Sequence, residues 1–274
     1  MKLLQVPDGL RKRVLKIADE IEDVYIDLDS CYGACDIDVD KAKKLNCEKI
    51  IHYGHSKLID TDIPVEYREL RKKIYITPIL KRDIEKIRGN NIGLVTSIQF
   101  IDCLDEIKEF LESKNKKVIN GGQVLGCKIP KLDVDCYLYI GSGRFHAIGI
   151  ALETDKPVFV LDVEKNKIVD INDLKEKFLK QRYSAVGLAK DAKSFGILVS
   201  TKPGQFNLEL ANKIKKRLKD QGKKAYILVM NEIKPEKLEG LDLDCYVNTA
   251  CPRIAIDNRT LFKKPILNPD EIKI

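Results

Sequence analysis

The sequence predicts an α/β fold of three related domains, each a small parallel sheet flanked by helices, arranged around a pseudo-threefold axis. Three observations predict it. Short apolar stretches alternate with amphipathic helical ones along the chain. The hexapeptide Leu132-Asp133-Val134-Asp135-Cys136-Tyr137 returns as Leu241-Asp242-Leu243-Asp244-Cys245-Tyr246 with a single change, which marks an internal repeat. Loops of glycine and cysteine follow the strands, where open parallel sheets place their ligand sites.

In the first domain, residues 1–80, Met1 to Leu4 lead into Gln5-Val6-Pro7-Asp8-Gly9-Leu10. Asp8 is placed to cap a helix running to about Ile21, with Leu10, Val14, Ile17 and Ala18 on one face. Asp23 to Leu28 reads as a strand that breaks off into Ser30-Cys31-Tyr32-Gly33-Ala34-Cys35-Asp36. Asp40 to Leu45 suits a short helix, and Lys49 to Tyr53 a strand that stops at Gly54-His55-Ser56. Lys73 to Pro78 is expected as a third strand.

The second domain, residues 81–165, opens on a strand at Asn91 to Thr96 and a helix at Phe100 to Ser113, with Ile101, Leu104, Ile107 and Leu111 on one side. Lys117 to Asn120 is a strand feeding Gly121-Gly122-Gln123-Val124-Leu125-Gly126-Cys127. Cys136 to Ile140 leads into Gly141-Ser142-Gly143-Arg144-Phe145-His146, and Pro157 to Leu161 closes the unit. The third domain, residues 166–274, has strands at Phe195 to Ser200, Ala225 to Met230 and Cys245 to Val247, with a helix at Leu208 to Asp220. Lysine pairs before the second strand of the later two units, Lys116-Lys117 and Lys223-Lys224, strengthen their alignment.

At 274 residues the chain can bury an ample core, so size gives no reason for its eight cysteines. No signal-peptide pattern and no apolar run of membrane-spanning length is present. The expected compartment is the cytoplasm, where thiols stay reduced and more often bind metal or do chemistry than form disulfides. The formal net charge is +7, but both signs are interspersed and no basic stripe carries aromatics, which argues against a nucleic-acid-binding protein.

Cys35, Cys127 and Cys251 stand far apart, each in a loop with glycine or alanine nearby. One reading makes them small buried apolar residues. The other follows from the repeat: strand ends of one polarity share an edge, so three domains could each present one thiolate to a common iron-sulfur cluster. A 4Fe-4S cluster with three protein thiolates in place of four keeps one iron open, as a catalytic cluster needs. Cys47, Cys136 and Cys245 begin strands and Cys103 lies in a helical stretch, positions that suit a core. Cys31 is spaced from Cys35 so that a shared metal or a redox pair stays open.

Gly141-Ser142-Gly143 lacks the third glycine of a dinucleotide fingerprint. It is either an ordinary turn or a cradle of amides for a carboxylate or ribose. His55 and His146 follow the glycines of equivalent loops, whereas His52 falls within a strand. A three-domain module that binds a nucleotide or small acid, its cysteines structural, is the alternative to an enzyme.

Six segments together resemble one family, the diphthamide synthesis enzymes, and its archaeal members in particular. They are Leu4 to Leu10, Cys31 to Asp36, His52-Tyr53-Gly54-His55-Ser56, Gly122 to Cys127, Gly141 to His146, and Ala250-Cys251-Pro252-Arg253-Ile254. The CxxxCxxC motif of ordinary radical S-adenosylmethionine enzymes is absent, as this family leads one to expect. The resemblance implies a homodimer in which Cys35, Cys127 and Cys251 hold a 4Fe-4S cluster with S-adenosylmethionine on the open iron. It implies reductive cleavage to methylthioadenosine and a 3-amino-3-carboxypropyl radical, which adds to C2 of a histidine on translation elongation factor 2. An electron donor is implied as a further partner. Gly54, His55, Gly141, Ser142, Gly143 and His146, beside the cysteine loops, are the residues expected to hold the cofactor.

Overall fold

A computed structural model describes residues 1–272. The chain divides into two compact units: Met1–Leu70, Leu188–Ala255 and Arg259–Ile274 form the first, and Arg71–Gly187 with Ile256–Asn258 the second. Three sheets are present among the described residues, and each has the same order of strands, namely second, first, third and fourth as counted within its repeat.

The first unit holds two sheets. The N-terminal one comprises β1 (Lys2–Gln5), β2 (Val24–Asp27), β3 (Lys49–Tyr53) and β4 (Val65–Arg68), all parallel, in the order β2-β1-β3-β4. The opening residues are therefore a central strand, not a lead-in. Leu3 packs with Ile37, Ala42, Cys47, Ile50 and Ile63, while Leu4 packs with Val6, Val14, Ile17, Ile21 and Ile51. The alternation of a strand sends neighbouring leucines to opposite faces, and both faces are covered. The helix expected from Asp8 to Ile21 is instead a 3₁₀ turn, Asp8–Arg13, running into a short α1 (Val14–Ala18). Asp8 does not cap it; its carboxylate accepts a hydrogen bond from Arg11 Nε at 3.0 Å. Helix α2 (Val39–Lys44) is capped by Asp38, whose side chain accepts from the Lys41 amide.

The second unit opens with α3 (Thr77–Asp83), and this corrects the strand expected at Lys73 to Pro78. Ile74 and Ile76 alternate as strand residues do, but Pro78 has no N–H for a ladder and fits the first turn of a helix. Ile76, Ile79 and Leu80 are buried in the second unit's core. There follow β5 (Asn91–Thr96), α4 (Leu104–Glu112), β6 (Lys117–Gln123), β7 (Cys136–Gly141), α5 (Phe145–Glu153), β8 (Val158–Asp162), β9 (Lys167–Asp170) and α6 (Asn172–Ala189). The sheet order is β6-β5-β7-β8-β9, parallel except for β9, which pairs antiparallel with β8. A 3₁₀ turn at Ile98–Cys103 replaces the start of the expected helix at Phe100.

The remaining sheet of the first unit is built from β10 (Ser194–Ser200), β11 (Lys224–Met230), β12 (Cys245–Asn248) and β13 (Ile266–Leu267), with α7 (Leu208–Asp220) and α8 (Arg253–Asp257). The hexapeptide repeats because its hydrogen bonds repeat. Asp135 Oδ2 accepts from the amides of Asn90 and Asn91, and Asp244 Oδ2 from those of Lys193 and Ser194, all at 2.9 Å. Lys116 Nζ donates to the Gly89 carbonyl and Lys223 Nζ to that of Ala192. The Tyr137 hydroxyl donates to the Pro130 carbonyl at 2.8 Å, and that of Tyr246 to Leu238 at 3.4 Å. Each set ties the start of a central strand to its neighbours.

Candidate functional site

The site residues read from the sequence all lie at or past the carboxyl ends of strands. Cys35 follows β2, Gly54 and His55 follow β3, and Cys251 follows β12; all four belong to the first unit. Cys127 follows β6, and Gly141, Ser142, Gly143 and His146 follow or end β7; these belong to the second. None of the eight cysteines is in a disulfide.

In the first unit the Cys35 loop is clamped by the loop after β10. Gly204 N donates to the Cys35 carbonyl at 2.9 Å, and a Cβ on Gly204 would stand 2.6 Å from Cys35 Cα, so only glycine permits this approach. The Gln205 amide nitrogen donates to Cys35 Sγ at 3.6 Å. Lys202 Nζ pairs with the Asp36 carboxylate in a buried ion pair and lies 5.2 Å from the centre of the Tyr32 ring. Burial pushes the Asp36 carboxyl above its ordinary range against the pull of Lys202. The Tyr32 hydroxyl donates to Glu232 at 2.7 Å, and burial together with that carboxylate moves it up to about 12.

Cys31 packs against its own loop. It is buried, its Sγ faces the carbonyls of Gly33 and Asp36 at 3.7 and 3.9 Å, and burial with the nearby Asp36 charge pushes its thiol up to about 12. It acts as a neutral donor that shapes the loop around Cys35.

A hydrogen-bonded chain links that loop to His55. Gln5 Nε2 donates to the Asp36 carbonyl at 2.7 Å, which leaves Gln5 Oε1 facing His52 Nδ1 at 3.3 Å. A carbonyl only accepts, so His52 carries its proton on Nδ1 and accepts at Nε2. His55 Nδ1, 2.9 Å from that nitrogen, is therefore the donor, and in the neutral ring His55 Nε2 is an acceptor. Burial, with the neighbouring His55, lowers His52 to about 3, and burial lowers His55, so both rings are neutral as the chain requires. Gly54, between the two histidines, has φ +88, a conformation that favours glycine.

Beside the loop that carries Cys35 and Asp36, a cavity of about 310 Å³ is lined by Asp27, Asp29, Asp36, Asp38, Lys41 and Lys202 among others. Three of these carboxylates approach one another as metal ligands would, but Lys41 Nζ already supplies their cation, at 2.5 Å from Asp27, 2.6 Å from Asp29 and 3.0 Å from Asp38.

Cys251 is half-buried between β12 and α8. Its carbonyl accepts from Asn248 Nδ2 at 2.9 Å and from the Ile254 amide at 3.0 Å, while Asn268 Nδ2 holds the next carbonyl, that of Pro252. In the second unit Cys127 is exposed at the tip of a tight turn closed by paired hydrogen bonds between Leu125 and Lys128. The strand feeding it is bulged: Leu94 pairs with Asn120 but Val95 with Gly122, which leaves Gly121 as the extra residue. The Gly141–Gly143 loop ends at α5, where His146 stacks on Tyr139 with Nδ1 3.2 Å from its hydroxyl.

Sequence reasoning missed Gln5, Lys202, Gly204 and Gln205. The signal available was Thr201-Lys202-Pro203-Gly204, a turn-forming stretch at a strand's carboxyl end, but it carries no thiol or histidine to draw the eye.

Residues 6–274 match the family described as "Putative diphthamide synthesis protein". The chain is 36% identical to the 2-(3-amino-3-carboxypropyl)histidine synthase of Pyrococcus horikoshii over 99% of its length and 84% of that relative's. It is 32% identical to the synthase of the same name from Methanocaldococcus jannaschii, covering 99% of this chain and 83% of the other. Two crystal structures of Dph2 from Pyrococcus horikoshii, one described as containing a 4Fe-4S cluster, match with a TM-score of 0.92, covering 99% of this chain and 84% of theirs. No helix among the described residues is long and apolar enough to cross a membrane. With its fold and nearly its whole length held in common with these proteins, the chain belongs to the diphthamide synthesis family.

Proposed function

We propose that the chain is a 2-(3-amino-3-carboxypropyl)histidine synthase, a transferase acting on a protein histidine in the first step of diphthamide biosynthesis. The observation that carries this is likeness over 99% of the chain to a relative of that name. In this reading the chain is three domains, 1–80, 81–165 and 166–274, around a pseudo-threefold axis, and Cys35, Cys127 and Cys251 give one thiolate each to a 4Fe-4S cluster. The donor set suits such a group: the three are thiols on strand-end loops, Cys35 Sγ already accepts an amide hydrogen bond, and Cys31 is committed to backbone carbonyls.

When bound, the cluster would supply the single electron that splits the Cγ–S bond of S-adenosylmethionine into methylthioadenosine and a 3-amino-3-carboxypropyl radical; addition of that radical to C2 of a histidine of translation elongation factor 2 would be completed by loss of the C2 proton and one electron, which restores the imidazole. The chain's own residues bind and orient. His55, with Nε2 as an acceptor, suits a donor such as the cofactor's ammonium, and the amides that open α5 after Gly141-Ser142-Gly143 suit a carboxylate. His146, fixed against Tyr139, closes that loop. A homodimer, cytoplasmic location and an external electron donor belong to the same reading.

Anaerobic reconstitution with iron and sulfide tests it. The wild-type chain is expected to take up about four irons with a broad blue-edge absorbance, and Cys35→Ala, Cys127→Ala and Cys251→Ala each to lose it. Full cluster content in all three variants overturns the ligand set. Release of methylthioadenosine from reduced protein and S-adenosylmethionine is the expected product; 5'-deoxyadenosine alone overturns the bond choice.

A further inference from the structure

We propose that Gln205 sets the reduction potential of the cluster by donating its side-chain N–H to the sulfur of Cys35, an inference that rests on the function proposed above. Its amide nitrogen is 3.6 Å from Cys35 Sγ. The donor is held in place by the backbone on both sides. Gln205 N donates to the Lys202 carbonyl and Gly204 N to the Cys35 carbonyl, both at 2.9 Å, and Lys202 is fixed by its buried pairing with Asp36. The loop is thus fastened to the Cys35 loop at Lys202, Gly204 and Gln205, through a buried charge, a backbone hydrogen bond and the side-chain amide on the sulfur. Nothing in the folding of the loop requires the third, since Pro203–Gln205 is a 3₁₀ turn already closed by its own backbone.

The chemistry gives the sign. Hydrogen bonds to ligand sulfur withdraw charge from the thiolate and favour the reduced, more negative cluster, so they raise its potential. Gln205→Met keeps the length and removes the donor; Gln205→Glu keeps the length and places a carboxylate against the sulfur. A group acting through charge at the sulfur gives the order wild type, Met, Glu from highest potential to lowest, whereas a group that only fills space gives no such order.

The experiment is an anaerobic redox titration of the reconstituted full-length chain and both variants, followed by the electron paramagnetic resonance signal of the reduced cluster, with iron content and thermal unfolding measured in parallel. The expected result is a downward shift of midpoint in Gln205→Met and a larger one in Gln205→Glu, at wild-type iron content in Gln205→Met. An unshifted midpoint in Gln205→Met overturns the inference, and so does loss of its iron with the fold intact, because the residue then supports ligation and does not tune it. Cys35→Ala separates the two levels. If it retains the full cluster, or the wild type takes up none, the underlying reading fails; if it loses the cluster while Gln205→Met titrates as wild type, this inference alone fails.

Discussion

Lys202 and Asp36 form an ion pair whose side chains are only 7% and 9% exposed, and it joins the loop after β10 to the Cys35 loop. Neither charge has a large hydrated surface to fall back on. Removing one partner from such a pair leaves the other buried and uncompensated, at a cost of about 3–5 kcal/mol, whereas replacing both with apolar groups is often neutral. Lys202→Met and Asp36→Asn are each expected to lower stability by about that range, and Lys202→Met with Asp36→Leu to recover most of it. Urea unfolding of the set, treated as a double-mutant cycle, checks this; additive losses contradict it.

Gly204→Ala probes the backbone part of the same clamp. The new methyl would meet Cys35 Cα and Cβ at 2.6 Å, atoms held by the Gly204 N–H bond itself. Overpacking of this kind costs about 1–3 kcal/mol, and the Cys35 loop is expected to move, with reduced iron uptake on reconstitution. Gly9→Ala, whose Cβ meets nothing within 4 Å, is the matched control and should leave both measurements unchanged.

The His52–His55 pair predicts acid sensitivity. Burial holds His52 neutral down to about 3, so below the ordinary value of 6.5 the unfolded chain binds more protons than the folded one. Stability is complete above that value and is lost as pH falls from 6.5 towards about 3, by roughly 2–3 kcal/mol near pH 4.5 from His52 alone. His55 adds a loss of the same sign. Unfolding measured between neutral and mildly acid pH should show this slope, and His52→Gln should flatten it.

Two tyrosines at equivalent positions should differ in worth. Tyr137 OH donates to Pro130 at 2.8 Å and accepts from the Leu132 amide at 2.9 Å, whereas Tyr246 OH makes a longer bond of 3.4 Å to Leu238. Tyr137→Phe strands a backbone N–H as well as a carbonyl and is expected to cost about 1–3 kcal/mol; Tyr246→Phe should cost less. Equal melting temperatures for the two variants would contradict the comparison.

The sequence made the repeated strands of the second and third sheets legible because their centres are apolar on both faces: β5 was bounded to the residue, and β10 and β12 to within one. Leu241 to Tyr246 matched Leu132 to Tyr137 in letters because the hydrogen bonds at Asp135 and Asp244 demand the same residues. Several elements of two to four residues, β1, β4, β9 and β13, escaped. β1 shows only one pair of leucines, β9 and β13 carry too few positions for alternation to register, and Ile74-Tyr75-Ile76 alternates without being a strand. In the site, thiols and histidines draw notice by their chemistry, and His52, which the sequence places within a strand, is fully buried. Lys202 and Gln205 could not be found that way, because a lysine and a glutamine in a turn become informative only when a distant loop is brought against them.

The first unit is assembled from both ends of the chain, with Arg71–Gly187 forming the other unit in between. On the ribosome, β1 to β4 emerge early, yet the residues that fasten the Cys35 loop arrive only with Lys202, Gly204 and Gln205. Vectorial synthesis therefore lets the intervening unit fold while its predecessor still waits for half its mass, and the closure that completes the first unit spans well over a hundred residues. A nascent chain stalled before that point carries Cys35 on an unfastened loop, so the surroundings of this thiol are completed only late in the synthesis of the protein.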